Sequence, residues 1–513
     1  MKRFIQFLLL TFCAAMAVRS FAFEVNGARY EVIDSDAKYV SFYSWEGIYD
    51  DVTEEYIFDV DEIEVPDEVE YGCETYKVTD IHAYALYCVN VNTLTIGKNV
   101  SNIDDDAFYV SNIKHVDVSS ANAYYASFCG ALYTAGWKKL KYYPKAREDA
   151  TYTVASTTEE IMPEAFKDSP YLERVELPEG LKVIGDDAFG DCQQLAEINI
   201  PSTVEDFGFS IFDWRAPWYK SLPDGPLYGG NHVLWLYKGT PEGGVIDVAE
   251  GCLSVATGFQ FSGHADTLRL PKSVTRVNMQ SGNNLMYFEV DPDNPVYSTF
   301  EGMLLSKDGS RMERFPGGRR GQFVVPEVRA IAPYAFAQCA LSHIIVPKGV
   351  ESIGDRAFYY CRSLSRIDLP ATLTSIGEKA FEMPIVSPMP TAPRKTRGNN
   401  SYYISDVYCR AVTPPATASN AFYGCDTSGA TLHVPVGTAE AYRSAAPWDG
   451  FGEIVEIDFA DVDGDGIVNG ADMTALYGAL LDDVAPAGIA DVDGDGVVSG
   501  ADITALYNRL LGQ

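Results

Sequence analysis

The chain has little positive charge: 39 Lys and Arg stand against 72 Asp and Glu, a formal net charge of -33. Phosphate backbones are held by clustered Lys and Arg, so nucleic acid is excluded as a partner class. A surface this acidic keeps a protein soluble and attracts cations. Histidine is also scarce, six in 513 residues, and none stands at ligand spacing from another. HExxH, GxSxG, CxxC and GxxxxGK[ST] are all missing, which removes the hydrolytic, dithiol and phosphate-cradling chemistries that those spacings serve. Paired carboxylates could be nominated anywhere in so acidic a chain, and for that reason none is. No catalytic residue is expected, and the chain reads as non-enzymatic.

Long apolar runs are lacking after the first residues. The opening "MKRFIQFLLLTFCAAMAVRSFA" has a basic start at Lys2 and Arg3, an apolar run from Phe4 to Val18, and small residues at Ser20 and Ala22. This is the pattern of an export signal over residues 1–22, cleaved after Ala22. The run is shorter than the roughly 20 residues of a spanning helix. Cys13 follows Phe12 rather than a small residue, which argues against lipid attachment. The expectation is a secreted or cell-surface protein with no membrane span after cleavage.

What the sequence does have is repetition, with a period of 22 to 23 residues. An Ala-Phe pair recurs at 107/108, 165/166, 188/189, 335/336, 357/358, 380/381 and 421/422, with variants at Ala85-Leu86 and Ile211-Phe212. In one unit, Val175 and Leu177 alternate with Glu176 as in a short half-buried strand, and Pro178 ends it because proline cannot donate to a ladder. Leu181, Ile184, Ala188 and Phe189 follow. One unit cannot bury these residues alone, so units stack, each covering the last, and the product is a solenoid.

Two longer stretches interrupt the period and align without gaps. Asn122, Tyr125, Phe128, Gly130, Leu132 and Pro144 match Asn294, Tyr297, Phe300, Gly302, Leu304 and Pro316. They read as inserted β-hairpins, and a looser third copy starts at Pro217. Aromatics crowd there, at Tyr124, Tyr125, Tyr133 and Trp137, then Trp214, Trp218, Tyr219 and Trp235, as hairpin packing or as a recognition surface. Residues 23–80 read as an N-terminal β cap, 81–457 as the array, and the Pro-rich stretch from Pro384 as an exposed loop.

Cys192, Cys339, Cys361 and Cys425 stand four residues after the first residue of each pair, where Ser111 and Ser169 take the same place. Cys88, after Ala85-Leu86, is grouped with them. A slot that takes Cys or Ser by turns is small, buried and weakly polar, so free thiols are expected there rather than bridges.

The end of the chain carries "DVDGDGIVNGAD" from Asp461 and, thirty residues on, "DVDGDGVVSGAD" from Asp491. Each offers four Asp carboxylates, a carbonyl and a polar side chain to a hard cation seeking about six to eight oxygens. The ligand sets are Asp461, Asp463, Asp465, Ile467, Asn469 and Asp472, and Asp491, Asp493, Asp495, Val497, Ser499 and Asp502. Gly466 and Gly496 allow the sharp bend. The stretches after them place Met473, Leu476, Tyr477, Leu480 and Leu481, and likewise Ile503, Leu506, Tyr507, Leu510 and Leu511, on one helical face per copy. No entering helix precedes either loop, so two calcium ions would hold a shape here rather than drive a sensor's opening.

The repeat over roughly residues 60–457 resembles the BspA-like leucine-rich repeats of bacterial surface and secreted proteins, and residues 459–513 resemble a type I dockerin. Together these resemblances imply a β-rich leucine-rich-repeat solenoid with inserted β-hairpins, followed by a small all-α calcium-binding module. They imply an exported binding or adhesion protein: the array recognises an extracellular protein or glycan, and the module docks to a cohesin or another protein. The alternative they leave open is a component of an extracellular polysaccharide-degrading complex. At loop positions 10 and 11, where many dockerins carry a cohesin-facing Ser-Thr pair, this chain has Gly470-Ala471 and Gly500-Ala501.

In stacked strands the residue between two buried positions points outward, and one register lines a continuous surface. That register gives Thr95, Asp117, Glu176, Asn199, Arg269, Glu289, Ile345, Asp368 and His433 as the ligand face, mixed in sign and without an aromatic platform.

Overall fold

A computed structural model describes residues 22–511 apart from 46–47, 51–54, 58, 88, 262–263, 280–283, 384–403, 464–466 and 483–489. Residues 1–21 of the export signal with Cys13, and Cys88, the whole Pro-rich stretch from Pro384, Asp465 and Gly466, lie outside the described residues. The chain divides into two compact units, Met1–Leu222 with Gly229–Asn231, and Pro223–Tyr228 with His232–Gln513.

In the first unit each repeat makes one coil turn with a strand on either side. Arg174–Glu176 runs parallel to Thr151–Thr153 and to Glu197–Ile198, with Arg174 opposite Glu197. On the other side the two-residue strands Glu160–Ile161, Val183–Ile184 and Asp206–Phe207 pair in the same order. Val175 and Leu177 point into the core and Glu176 points out, as the alternation requires. Leu181, Ile184, Ala188 and Phe189 are fully buried between the sheets. The phenylalanines of successive pairs stack face to face, Phe166 on Phe189 at 4.8 Å and Phe189 on Phe212 at 5.3 Å. Each ring therefore needs the turns before and after it.

A β layer covers the start of this stack. Ala22–Val25, Ala28–Asp34 and Tyr39–Trp45 pair antiparallel, and Tyr39–Trp45 then runs parallel to Glu74–Ile81. Phe23, Tyr30 and Phe42 share one core with Leu94, Ile96 and Ile113 of the first repeats.

In the second unit the strands Arg320–Val324, Ala340–Ile345, Arg366–Leu369, Asp406–Cys409, Thr431–Pro435 and Glu453–Ile457 form one parallel sheet. The phenylalanine stack runs Phe315, Phe336, Phe358, Phe381, Phe422 at 5.0 to 5.3 Å. It ends where Trp448 and Phe451 meet Phe422 edge-on, so the closing end replaces a further turn with aromatic bulk.

The hairpins form where the gapless alignment places them, at Tyr125–Phe128 with Ala131–Thr134 and at Tyr297–Phe300 with Met303–Ser306. The matched asparagines explain the match. Asn122 donates to the carbonyls of Gly97 and Val100 and accepts from the N–H of Tyr124 and Tyr125. Asn294 repeats this with Pro271, Val274, Val296 and Tyr297. One side chain thus satisfies four backbone groups where the chain leaves the coil.

The Cys/Ser slot is a hydrogen-bond position. Ser111 and Ser169 donate to the carbonyls of Phe108 and Phe166 in their own turn, while the longer Cys192, Cys361 and Cys425 reach the carbonyls of Phe166, Phe336 and Phe381 one turn back. All eight described cysteines are free thiols. Before the Ala of the pair and before the slot the backbone is left-handed even at non-glycine residues, as at Arg356 and Tyr360 (φ 50° and 56°). The repeat spends this strain on a tight corner that composition does not announce.

Candidate metal centre and binding face

The last residues of the second unit form a module with its own small core. Leu476 of the helix Gly470–Asp482 and Leu506 of the helix Gly500–Leu510 are buried together with Ala460, Val462 and Ala490. Met473, Leu480 and Ile503 pack against that core. Tyr477, Leu481, Tyr507 and Leu511 do not, and remain 48, 82, 55 and 53% exposed. The apolar residues expected on one helical face per copy are therefore only partly buried. The apolar arc is wide, the core takes only one side of it, and these four residues lie at its edge at equivalent places in the two copies.

In each loop three carboxylates converge, Asp461, Asp463 and Asp472 in the first and Asp491, Asp493 and Asp502 in the second, with oxygens within 4.8 Å of one another. Asp472 is buried and accepts from the N–H of Val462, Asp463 and Asn469, and Asp502 from Val492, Asp493 and Ser499. Three converging carboxylates, one or two of them buried, are a negative centre that a hard cation fits. Asn469 and Ser499 spend their side-chain oxygens on the N–H of Ala471 and Ala501, at the starts of the two helices. The Ile467 carbonyl accepts from the Asn469 amide, and Asp495 accepts from the N–H of Val497, which is exposed.

Near identity of sequence does not make the loops equivalent. Burial would raise the Asp472 carboxyl, but its backbone hydrogen bonds hold it below the usual range. At Asp502 burial prevails and raises it. Burial also pushes Asp491 up to about 6. Among the described carboxylates the second centre is the more deeply buried, with Asp491 and Asp502 both buried against Asp472 alone in the first.

On the array of the first unit, Asp117, Glu176 and Asn199 are exposed, and Thr95 is half-buried with its hydroxyl on Glu62. The Asn199 amide donates to the carbonyl of Leu177 and accepts from its N–H, both at 2.8 Å, so it joins turns rather than waiting for a ligand. Arg174 bridges Glu176 and Glu197 at 2.9 Å each. Sequence reasoning passed over Arg174 and Glu197, although Arg174 is two residues before Glu176 and so on the same face. A groove of about 580 Å³ runs along Arg174, Glu176, Leu177, Glu197 and Asn199 to Trp218. Trp218 belongs to the short helix Pro217–Ser221 rather than to a hairpin, and it supplies this face with the aromatic that the register lacked.

In the second unit Arg269 is exposed and bridges Asp247 and Glu289, and His433 is half-buried, stacked on Tyr408 and paired with Asp406. Ile345 and Asp368 correct the expectation of an outward face, being 2 and 5% exposed. Asp368 is ion-paired to Arg366 and hydrogen-bonded to His343. Ile345 is covered by the second calcium-type loop: a Cβ on Gly496 would lie 2.6 Å from Val324 Cγ1 and 3.5 Å from Ile345 Cγ2. Gly496, at φ 89°, thus serves both the bend and this close approach.

No helix among the described residues is long and apolar enough to cross a membrane. Residues 72–131, 150–216 and 329–433 match the BspA type leucine rich repeat region in six copies, and residues 459–511 match the dockerin type I domain. These are non-catalytic binding modules. No curated protein matches the chain. Among solved structures, a leucine rich cell surface protein from Faecalibacterium prausnitzii A2-165 is 15% identical with a TM-score of 0.32, covering 86% of this chain and 96% of that one. The pneumococcal vaccine antigen PcpA is 16% identical with a TM-score of 0.22, covering 86 and 100%. A leucine-rich repeat protein from Bacteroides ovatus ATCC 8483 is 15% identical with a TM-score of 0.25, covering 85 and 100%.

Proposed function

We propose that this chain, a BspA-like leucine-rich-repeat protein with a C-terminal type I dockerin-like module, is an exported binding protein. Its array takes up an extracellular protein ligand, and its module, shaped by two calcium ions, docks to a second protein of the cohesin type. The observation that carries this reading is the matched set of exposed apolar residues Tyr477 and Tyr507, Leu481 and Leu511, one set per copy of the duplicated module, with Leu511 just past the end of its helix. The module's core takes up none of these four side chains, and exposed apolar residues repeated at equivalent places in both copies suit an interaction site. For the array, the groove from Arg174 to Trp218 offers alternating charge with one indole, which suits a peptide or protein surface better than a run of sugar rings.

The test is retention of partners on the immobilised full chain from an extract of the source organism, with calcium and with chelator. A defined partner should be retained only with calcium and lost when Tyr477 and Tyr507 both become Ser. Retention by the double variant equal to the parent would overturn the docking assignment. A partner carrying cohesins beside glycoside hydrolases would place the chain in a polysaccharide-degrading assembly.

A further inference from the structure

The second loop is held by three strands of the array within the same unit, two of them neighbours and the third separated from them by one strand of the sheet. Val324 and Ile345 end the strands Arg320–Val324 and Ala340–Ile345, and their side chains, with Pro347, close on the position that a Cβ of Gly496 would need. The Lys348 N–H, just past Pro347, donates to the Gly494 carbonyl at 2.7 Å. Arg410, just past the strand Asp406–Cys409, is the third attachment. Its Nη2 donates to the Asp491 carbonyl at 2.5 Å and stands 3.8 Å from the Asp491 carboxylate, and its guanidinium lies 4.4 Å from the centre of the Phe459 ring.

Apart from the one to Phe459, these contacts reach loop positions 1, 4 and 6, and mainly their backbone. They therefore depend on the loop's curvature rather than on its side chains. That curvature is the one in which Asp491 accepts from the N–H of Gly494 and of Gly496, at 2.8 and 3.1 Å. A loop relaxed by mutual repulsion of Asp491, Asp493 and Asp502 would not present the Gly494 carbonyl to Lys348 or a flat Gly496 to Val324.

We propose that the array is the docking site for its own second calcium loop, so that calcium at Asp491–Asp502 fastens the module to the repeat face. This rests on the reading of the loops as calcium sites. The curved loop is common to the ion-bound and the docked state, so each favours the other by the same factor. Arg410 is a positioning residue in this joint: it sets a formal positive charge against the loop's acids and holds Asp491 by its carbonyl. The consequence for function is geometric. A partner bound through Tyr477 and Tyr507 is presented at a fixed place relative to the array, not on a flexible tether, for as long as calcium is bound.

Hydrogen exchange on the full chain, with calcium chloride and with EGTA, tests this, because the Lys348 amide reports the joint directly. With calcium the segment around Lys348 should exchange about tenfold or more slowly than with EGTA, while the sheet around Arg174–Glu176 is unchanged. Val324→Glu sets a carboxylate against the loop at a half-buried surface position, and should give the fast rate even with calcium. Arg410→Gln should speed exchange in the same direction and serves if the first variant misfolds. Calorimetric calcium binding runs in parallel. Ions bound with no change at Lys348 overturn the joint and leave the calcium sites standing. No ions bound overturns both.

Discussion

Cys339 Sγ and Cys361 Sγ stand 3.4 Å apart, one coil turn from each other and both buried. The 22-residue step between them is the repeat itself, so a slot filled by Cys in adjacent turns must bring two thiols together.

Burial pushes the Cys192 and Cys425 thiols up to about 12 and raises Cys361 and Cys409, which keeps them from the nucleophilic thiolate form. Iodoacetamide on the native protein should label the exposed Cys73 and Cys129 and spare Cys192, Cys361 and Cys409. After denaturation without reductant all should react. Mass spectrometry that finds Cys339 and Cys361 unlabelled at that stage would show the pair bridged.

Phe358 is fully buried between Phe336 and Phe381, 5.3 and 5.0 Å away. Phe358→Ala opens a cavity that the parallel strands on either side are too constrained to fill, and should cost about 3 to 5 kcal/mol in denaturant unfolding. Phe422→Ala, at the end of the stack beside Trp448, should cost less, since its neighbours can settle into the gap.

Removing calcium should lower the melting transition of the module and leave that of the repeats in place, because the convergent carboxylates repel without an ion. Asp472→Ala deletes a ligand and the acceptor of three backbone N–H groups, whereas Asn469→Ala removes a helix cap worth about 1 kcal/mol. Calorimetry with calcium in excess should therefore show Asp472→Ala as the more damaging change. Equal effects would mean that Asp472 is not a ligand.

Glu176 and Glu197 are exposed and share Arg174, and exposed pairs contribute roughly 0 to 1 kcal/mol. Reversing both to Lys should leave the melting temperature nearly unchanged and abolish binding of a protein ligand to the groove. Trp218→Ala should weaken the same ligand, since the groove joins the three residues. Asp368→Lys is a different case: it breaks a buried pairing with Arg366 and His343 and should destabilise the fold by about 3 kcal/mol or more.

The Ala-Phe period, the alternation of Val175, Glu176 and Leu177, the match of Asn122 with Asn294 and the spacing of the Asp residues were all legible in the sequence. Each is a local rule. A strand turns every second side chain outward, a stacked coil needs the same buried ring in every turn, and a loop that curls around an ion needs its acids at fixed steps. The outcome at Ile345 and Asp368 was not legible, because the register states which way a side chain points and not what lies in front of it. Gly496 covers Ile345 from about 150 residues down the chain, Trp218 reaches the Arg174 groove from a short helix outside the repeat, and Arg410 meets Asp491 across two modules that the sequence reads separately. Periodicity determined the coil and the two loops, since both are built from near neighbours in sequence. Only the tertiary structure decided which outward face stays open, because that depends on contacts between distant segments that leave no spacing to count.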